Sequence, residues 1–109
     1  MTLELLKGRW NIQEMENWDE EYFNMEEQAF ILIEENKNGK FLFGLVNGYF
    51  HGDIYSINDI KRFEFTWEGN DEMDEASGFG WITLESKTKI KGEIRFHQGD
   101  SSEFIAIKG

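Results

Sequence analysis

Along most of the chain, apolar and polar residues alternate with a period of two, the pattern of strands that bury one face and expose the other. It predicts strands over 7–15, 29–35, 40–46, 49–56, 60–68, 79–85, 90–98 and 103–108. In the first, Trp10 and Ile12 share a face opposite Arg9, Asn11 and Gln13. In the last, two faces compete: Phe104 and Ala106 against Ile105 and Ile107. Between the first two strands the period changes. Asn17 reads as an N-cap, Asp19, Glu20 and Glu21 would follow it in a first turn that favours negative charge, and Trp18, Tyr22 and Met25 fall at helical spacing. One short helix is expected there, lying across an end of the fold.

Turn residues then suggest a register. Asn38-Gly39 and Asn47-Gly48 have the composition of two-residue hairpin turns that require positive φ, and Asn58-Asp59 is a weaker example. Taken as turns, they set Leu32 opposite Leu45 and Glu34 opposite Phe43, then Leu45 opposite Phe50 and Phe41 opposite Ile54. The third sets Ile54 opposite Phe63, Gly52 opposite Phe65 and Phe50 opposite Trp67. Nearly all the aromatics fall on one face, the predicted core. Tyr49, His51, Asp53, Tyr55, Arg62, Glu64, Thr66 and Glu68 face outward. A turn at Lys87-Thr88 likewise pairs Phe79 with Phe96, Trp81 with Ile94 and Thr83 with Gly92.

Eight short strands with short turns and no proline close most naturally into an antiparallel meander barrel, which removes exposed edges; a two-sheet sandwich is the alternative. The expected fold is all-β: one barrel domain over 1–109, with one short helix between strands one and two. Gly8-x-Trp10 resembles the opening of the first strand in lipocalin-type barrels. That lipocalin/calycin-like resemblance implies a Trp plug at one barrel end and room for a small apolar ligand.

A second resemblance spans most of the chain. Gly8-x-Trp10, Trp18-Asp19, the run from Phe63 to Glu72, Ser77-Gly78-x-Gly80-Trp81 and Phe96-His97-x-Gly99-Asp100-x-Ser102-x-Phe104-x-Ala106 look like a widespread family of small uncharacterised bacterial proteins. It implies a bacterial origin and no particular activity.

Composition narrows the function. Ten Phe and four Trp in 109 residues supply a large apolar area for one core. The absence of cysteine excludes disulfides, thiolate metal sites and a Cys nucleophile. The start of the chain lacks a basic segment followed by an apolar run, and nothing approaches a membrane-spanning length, so a cytoplasmic protein without membrane association is expected. A formal charge of −11 repels phosphate backbones and argues against nucleic acid, while it attracts cations or a basic protein partner.

No Gly-x-Ser-x-Gly, phosphate-cradling loop or His-x-x-x-His occurs, no cofactor is implied, and an enzyme is the weaker expectation. Segment 70–77 reads as an acidic loop carrying Asp71, Glu72, Asp74 and Glu75, expected to be mobile through self-repulsion. It fails the EF-hand pattern, because Glu75 stands where glycine is required and Trp81 where glutamate is required. A looser cation site on Asp71 and Asp74 is weighed against a solvated loop, and no metal site is assigned. His51, Asp53 and Glu64, and separately His97 with Asp100, are weighed as catalytic or metal groups against ordinary surface and turn roles. Two function classes remain. One is a non-enzymatic barrel whose interior, lined by Trp10, Phe43, Phe65, Trp67, Trp81 and Phe96, holds a small hydrophobic ligand. The other is an acidic protein-interaction module using 69–78, with Asp71, Glu72, Asp74 and Glu75 on the partner loop. The sequence leaves the oligomeric state open.

Overall fold

The computed structural model describes residues 2–109. Eight strands close into a barrel in which each pairs antiparallel with its chain neighbours and the last pairs with the first. They are β1 (Gly8–Met15), β2 (Phe30–Ile33), β3 (Asn38–Phe43), β4 (Val46–Ile57), β5 (Ile60–Asp71), β6 (Asp74–Ser86), β7 (Lys89–Phe96) and β8 (Ser101–Lys108). A one-turn helix, α1 (Leu3–Leu6), precedes β1, and a second, α2 (Glu20–Phe23), follows it. Strand alternation puts α2 and the turns β3–β4, β5–β6 and β7–β8 at one end, here the mouth. α1, the end of β8 and the remaining turns lie at the other.

The interior is filled by rings. Trp10, Phe41, Phe43, Phe63 and Phe104 are at most 1% exposed, and Phe50, Phe65 and Trp67 at most 4%. Glycines on adjacent strands make the space. A Cβ built on Gly80 would lie 2.5 Å from Phe65 Cζ, one on Gly92 2.6 Å from Phe104 Cζ, and one on Gly48 2.7 Å from Phe41 Cζ and 2.8 Å from Trp67 Cε3. These separations are well inside van der Waals contact, so no side chain fits there without moving a ring. In β8, Ser102, Phe104 and Ala106 face inward, which settles its core face.

The register expected around Asn58-Asp59 is the one observed: Ile54 pairs with Phe63, Gly52 with Phe65 and Phe50 with Trp67. The two Asn-Gly pairs are not turns. Asn38-Gly39 opens β3, with Ile33 opposite Gly39 and Leu32 opposite Lys40, and the chain reverses through a 3-10 turn at Glu35–Lys37, where Asn36 and Lys37 take positive φ. Asn47-Gly48 lies within β4, and the turn is Gly44-Leu45, so Phe43 pairs with Val46 and Phe41 with Gly48. Both glycines are needed beneath rings, Gly39 under Phe50 and Gly48 under Phe41 and Trp67, rather than for a reversal. Gly44 meets both demands: its φ is 57°, and the Tyr22 ring occupies the place of a Cβ. The inward residues of β2 are therefore Ile31 and Ile33, while Glu34 is exposed.

Two further expectations are corrected. The turn at Lys87-Thr88 stands, but a bulge between Leu84 and Ser86 shifts the β6–β7 register by one residue. Gly78, Gly80 and Ile82 consequently carry the inward parity, and Phe79 and Trp81 face out. The helix begins later than Asn17 suggests. Asp19 is the N-cap, its carboxylate accepting from the Tyr22 amide at 3.0 Å, while the Asn17 amide donates to Ser102 Oγ at 3.1 Å and thereby belongs to the β1–β8 seam. Trp18 and Tyr22 pack inward and Met25 is exposed.

Phe65→Ala and Trp67→Ala are each expected to destabilise the barrel by about 3–5 kcal/mol, the range for removing a buried ring. Exposed Thr66→Ala should cost less than about 1 kcal/mol. Gly80→Ala should also destabilise measurably in chemical denaturation, through its clash with Phe65.

Candidate functional site

The segment expected to be a free acidic loop is a paired hairpin. Asn70 lies opposite Glu75 and Asp71 opposite Asp74, leaving only Glu72-Met73 to turn, with Glu72 at φ 60°. The ladder continues because β5 is already fixed on its other side, Asn47 pairing with Asn70 and Val46 with Asp71. The Glu72 amide also donates to the Leu45 carbonyl at 2.9 Å, tying the tip to the β3–β4 turn. Alternation gives Asp71 and Asp74 the inward parity of Trp67, so that beyond the last ring their carboxylates stand over the mouth. Glu68 and Glu75 have the outward parity.

Beside this hairpin lies an open depression of about 940 Å³. Its aromatic side is formed by Trp18 and Phe96, 6.2 Å apart and edge to face. Phe96 also stands edge-on to Trp67 at 5.2 Å, and Trp18 lies 5.1 Å from Phe43, so both rest on the core. Five carboxylates line the rest: Glu68, Asp71, Asp74, Glu75 and Asp100. Among the described residues, neither lysine nor arginine lines it. Among the described residues, none of these carboxylates is within ion-pair distance of a cation, and the ion pairs present involve Glu4, Glu35, Asp53, Glu64 and Glu103.

The six rings predicted to line a ligand site divide three ways. Trp10, Phe43, Phe65 and Trp67 pack against other side chains inside. The Trp10 indole donates to the Leu6 carbonyl at 2.8 Å, tying α1 to the barrel, and the Trp67 indole donates to the Arg95 carbonyl at 3.2 Å. Phe96 is half-buried at the mouth. Trp81 is on the outer wall, where it donates to Glu93 at 3.1 Å beneath the Arg62 guanidinium, 4.3 Å from the ring centroid. Trp18, Tyr49, His97 and Asp100 join the depression without having been assigned to it from the sequence. Trp18 and Tyr22 were legible as a face, but nothing local indicated that this face would meet Phe96.

The other groups weighed for chemistry have separate partners. His51 Nδ1 is 2.7 Å from Asn38 Oδ1. Asp53 accepts from Lys37 Nζ at 3.0 Å and from the Ile54 amide at 2.8 Å, and Glu64 lies 3.7 Å from Arg62 Nε. The hydrogen bond from Lys37, then that from the Ile54 amide, holds the Asp53 carboxyl below its ordinary range. Asp100 closes the β7–β8 turn through its backbone, its carbonyl accepting from the Phe96 amide at 2.9 Å. Among the described residues no group of three or more acidic, His or Cys side chains is placed to hold a metal ion, and no helix is long and apolar enough to cross a membrane.

A depressed carboxyl pKa stabilises the fold above the unfolded-state value, and that contribution disappears as pH falls through the folded-state value. NMR titration of Asp53 should therefore give a midpoint below that of an ordinary aspartate, and Lys37→Ala should move it upward. Millimolar Ca²⁺ or Mg²⁺ is expected to shift the melting temperature no more than matched ionic strength, because Asp71 and Asp74 lack further acidic ligands in place. Comparison of the chain with family models, with curated proteins and with solved structures found no match.

Proposed function

We propose that this protein is a non-enzymatic interaction module that engages a basic partner protein through the acidic β5–β6 hairpin and the depression beside it. The observation that carries this reading is the set of five mouth carboxylates that have no cationic partner among the described residues, beside the half-buried rings of Trp18 and Phe96. Close carboxylates in a concave surface concentrate negative potential and speed the encounter with a cation. An aromatic face next to them accepts the same cation through its quadrupole, most strongly at Trp. A depression of about 940 Å³ is also far larger than a single ion needs and suits side chains of a partner. A small apolar ligand inside the barrel has less support, since the interior rings already fill the space an eight-stranded barrel encloses.

Heteronuclear NMR titration with a lysine-rich peptide and, separately, with a fatty acid tests the choice. The peptide should shift amides of 68–77 and 97–100 and the Trp18 indole, with affinity falling as salt rises. A variant combining Asp71→Asn, Asp74→Asn and Glu75→Gln should lose at least about tenfold in affinity. Shifts of Trp10 and Trp67 with the fatty acid, and none with the peptide, would reverse the choice.

A further inference from the structure

We infer that the partner segment binds extended, as an added β-strand on the open edge of β6 at the mouth, an inference that rests on the reading just given. β7 ends at Phe96, opposite Gly78, whereas β6 continues to Asp74. The residues flanking the two-residue turn, Asp71 and Asp74, form a hydrogen-bonded pair, so alternation turns the backbone of Asp74 and Ala76 toward β5 and that of Glu75 and Ser77 away from it. The Ser77 carbonyl shows that direction, accepting the His97 amide at 2.8 Å. One residue pair further on, the Glu75 amide and carbonyl face the depression where β7 no longer runs. The opposite edge of the hairpin is taken by β4, so the hairpin is rigidly held on one side and available on the other.

Charge decides what can occupy it. Open edges are commonly blunted by charged side chains, and a second, longer overhang at Gly52–Ile57 of β4 follows that rule: Asp53, held by Lys37, occupies the Ile54 amide. At β6 the charged residues of the overhang, Asp74 and Glu75, are both carboxylates. These repel a second copy of a chain with net charge −11 and favour a strand bearing lysine or arginine. Main-chain hydrogen bonds to Glu75 would set the register, and alternate side chains would reach the carboxylates and the Trp18 and Phe96 rings.

The test uses an acetylated and amidated Lys-Thr-Lys-Thr-Lys-Thr peptide and an analogue of equal charge whose amides are N-methylated at alternate positions, titrated calorimetrically, with amide exchange of Glu75 followed by NMR. One methylation pattern removes the donors on one edge of the peptide, and a second analogue with the complementary pattern removes those on the other. The expected result is binding of the parent, slowed exchange at Glu75, and at least about tenfold weaker binding for one of the two analogues. If all three peptides bind equally and Glu75 exchange is unchanged, strand addition is overturned while recognition of basic partners stands. If none binds, both are overturned.

Discussion

The packing of large rings onto glycine backbone is the constraint on which the barrel depends. An eight-stranded barrel has an interior just wide enough to be filled by its own side chains, and here much of that filling is Phe and Trp. Rings from adjacent strands would collide if every inward position carried a Cβ. Gly48, Gly80 and Gly92 remove that conflict by letting Phe41 and Trp67, Phe65, and Phe104 lie directly on the neighbouring strand. The arrangement removes much apolar surface from water in a chain that has no cysteine for a disulfide. The depression of about 940 Å³ lies at the mouth, beyond the last of these rings.

The same constraint explains what was legible in the sequence and what was not. Strand number, meander order and the outward ladder of β4 and β5 follow from period-two alternation, which long amphipathic strands express strongly. The Asn58-Asp59 turn was readable because both residues adopt positive φ with no competing role. Asn38-Gly39 and Asn47-Gly48 misled because glycine has two uses, and at Gly39 and Gly48 the use is to admit a ring, which depends on a neighbouring strand and leaves no local trace. The bulge near Glu85 is equally silent in the pattern, yet it reverses the faces of Phe79 and Trp81. At the candidate site, the carboxylates of 71–75 are evident in the sequence, but their charge density masks the continued strand pairing. His97 and Asp100 reach the same depression through the shifted β6–β7 pairing, and Trp18 through its packing on Phe43 and Phe96.

Charge is distributed unevenly over this surface. Lys37, Arg62 and Lys91 pair with Asp53, Glu64 and Glu103 on the outer wall, and Lys7 bridges Glu4 and Glu35 beside α1. Exposed pairs of this kind contribute little to stability, but they neutralise the field locally. Among the described residues, the five carboxylates of the depression at the mouth have no such partner. The asymmetry gives the molecule an electrostatic direction as well as a net charge.

The seam between β1 and β8 gives that direction a mechanical counterpart. The Gly109 amide donates to the Arg9 carbonyl at 2.9 Å and the Lys108 ammonium to the Lys7 carbonyl, so the first and last strands are fastened together at the end remote from the acidic hairpin. The polypeptide therefore enters and leaves at one pole, and the charged depression occupies the other. Anything joined to either end emerges behind the barrel, and pulling on both ends together loads the β1–β8 seam while leaving the opposite pole turned outward.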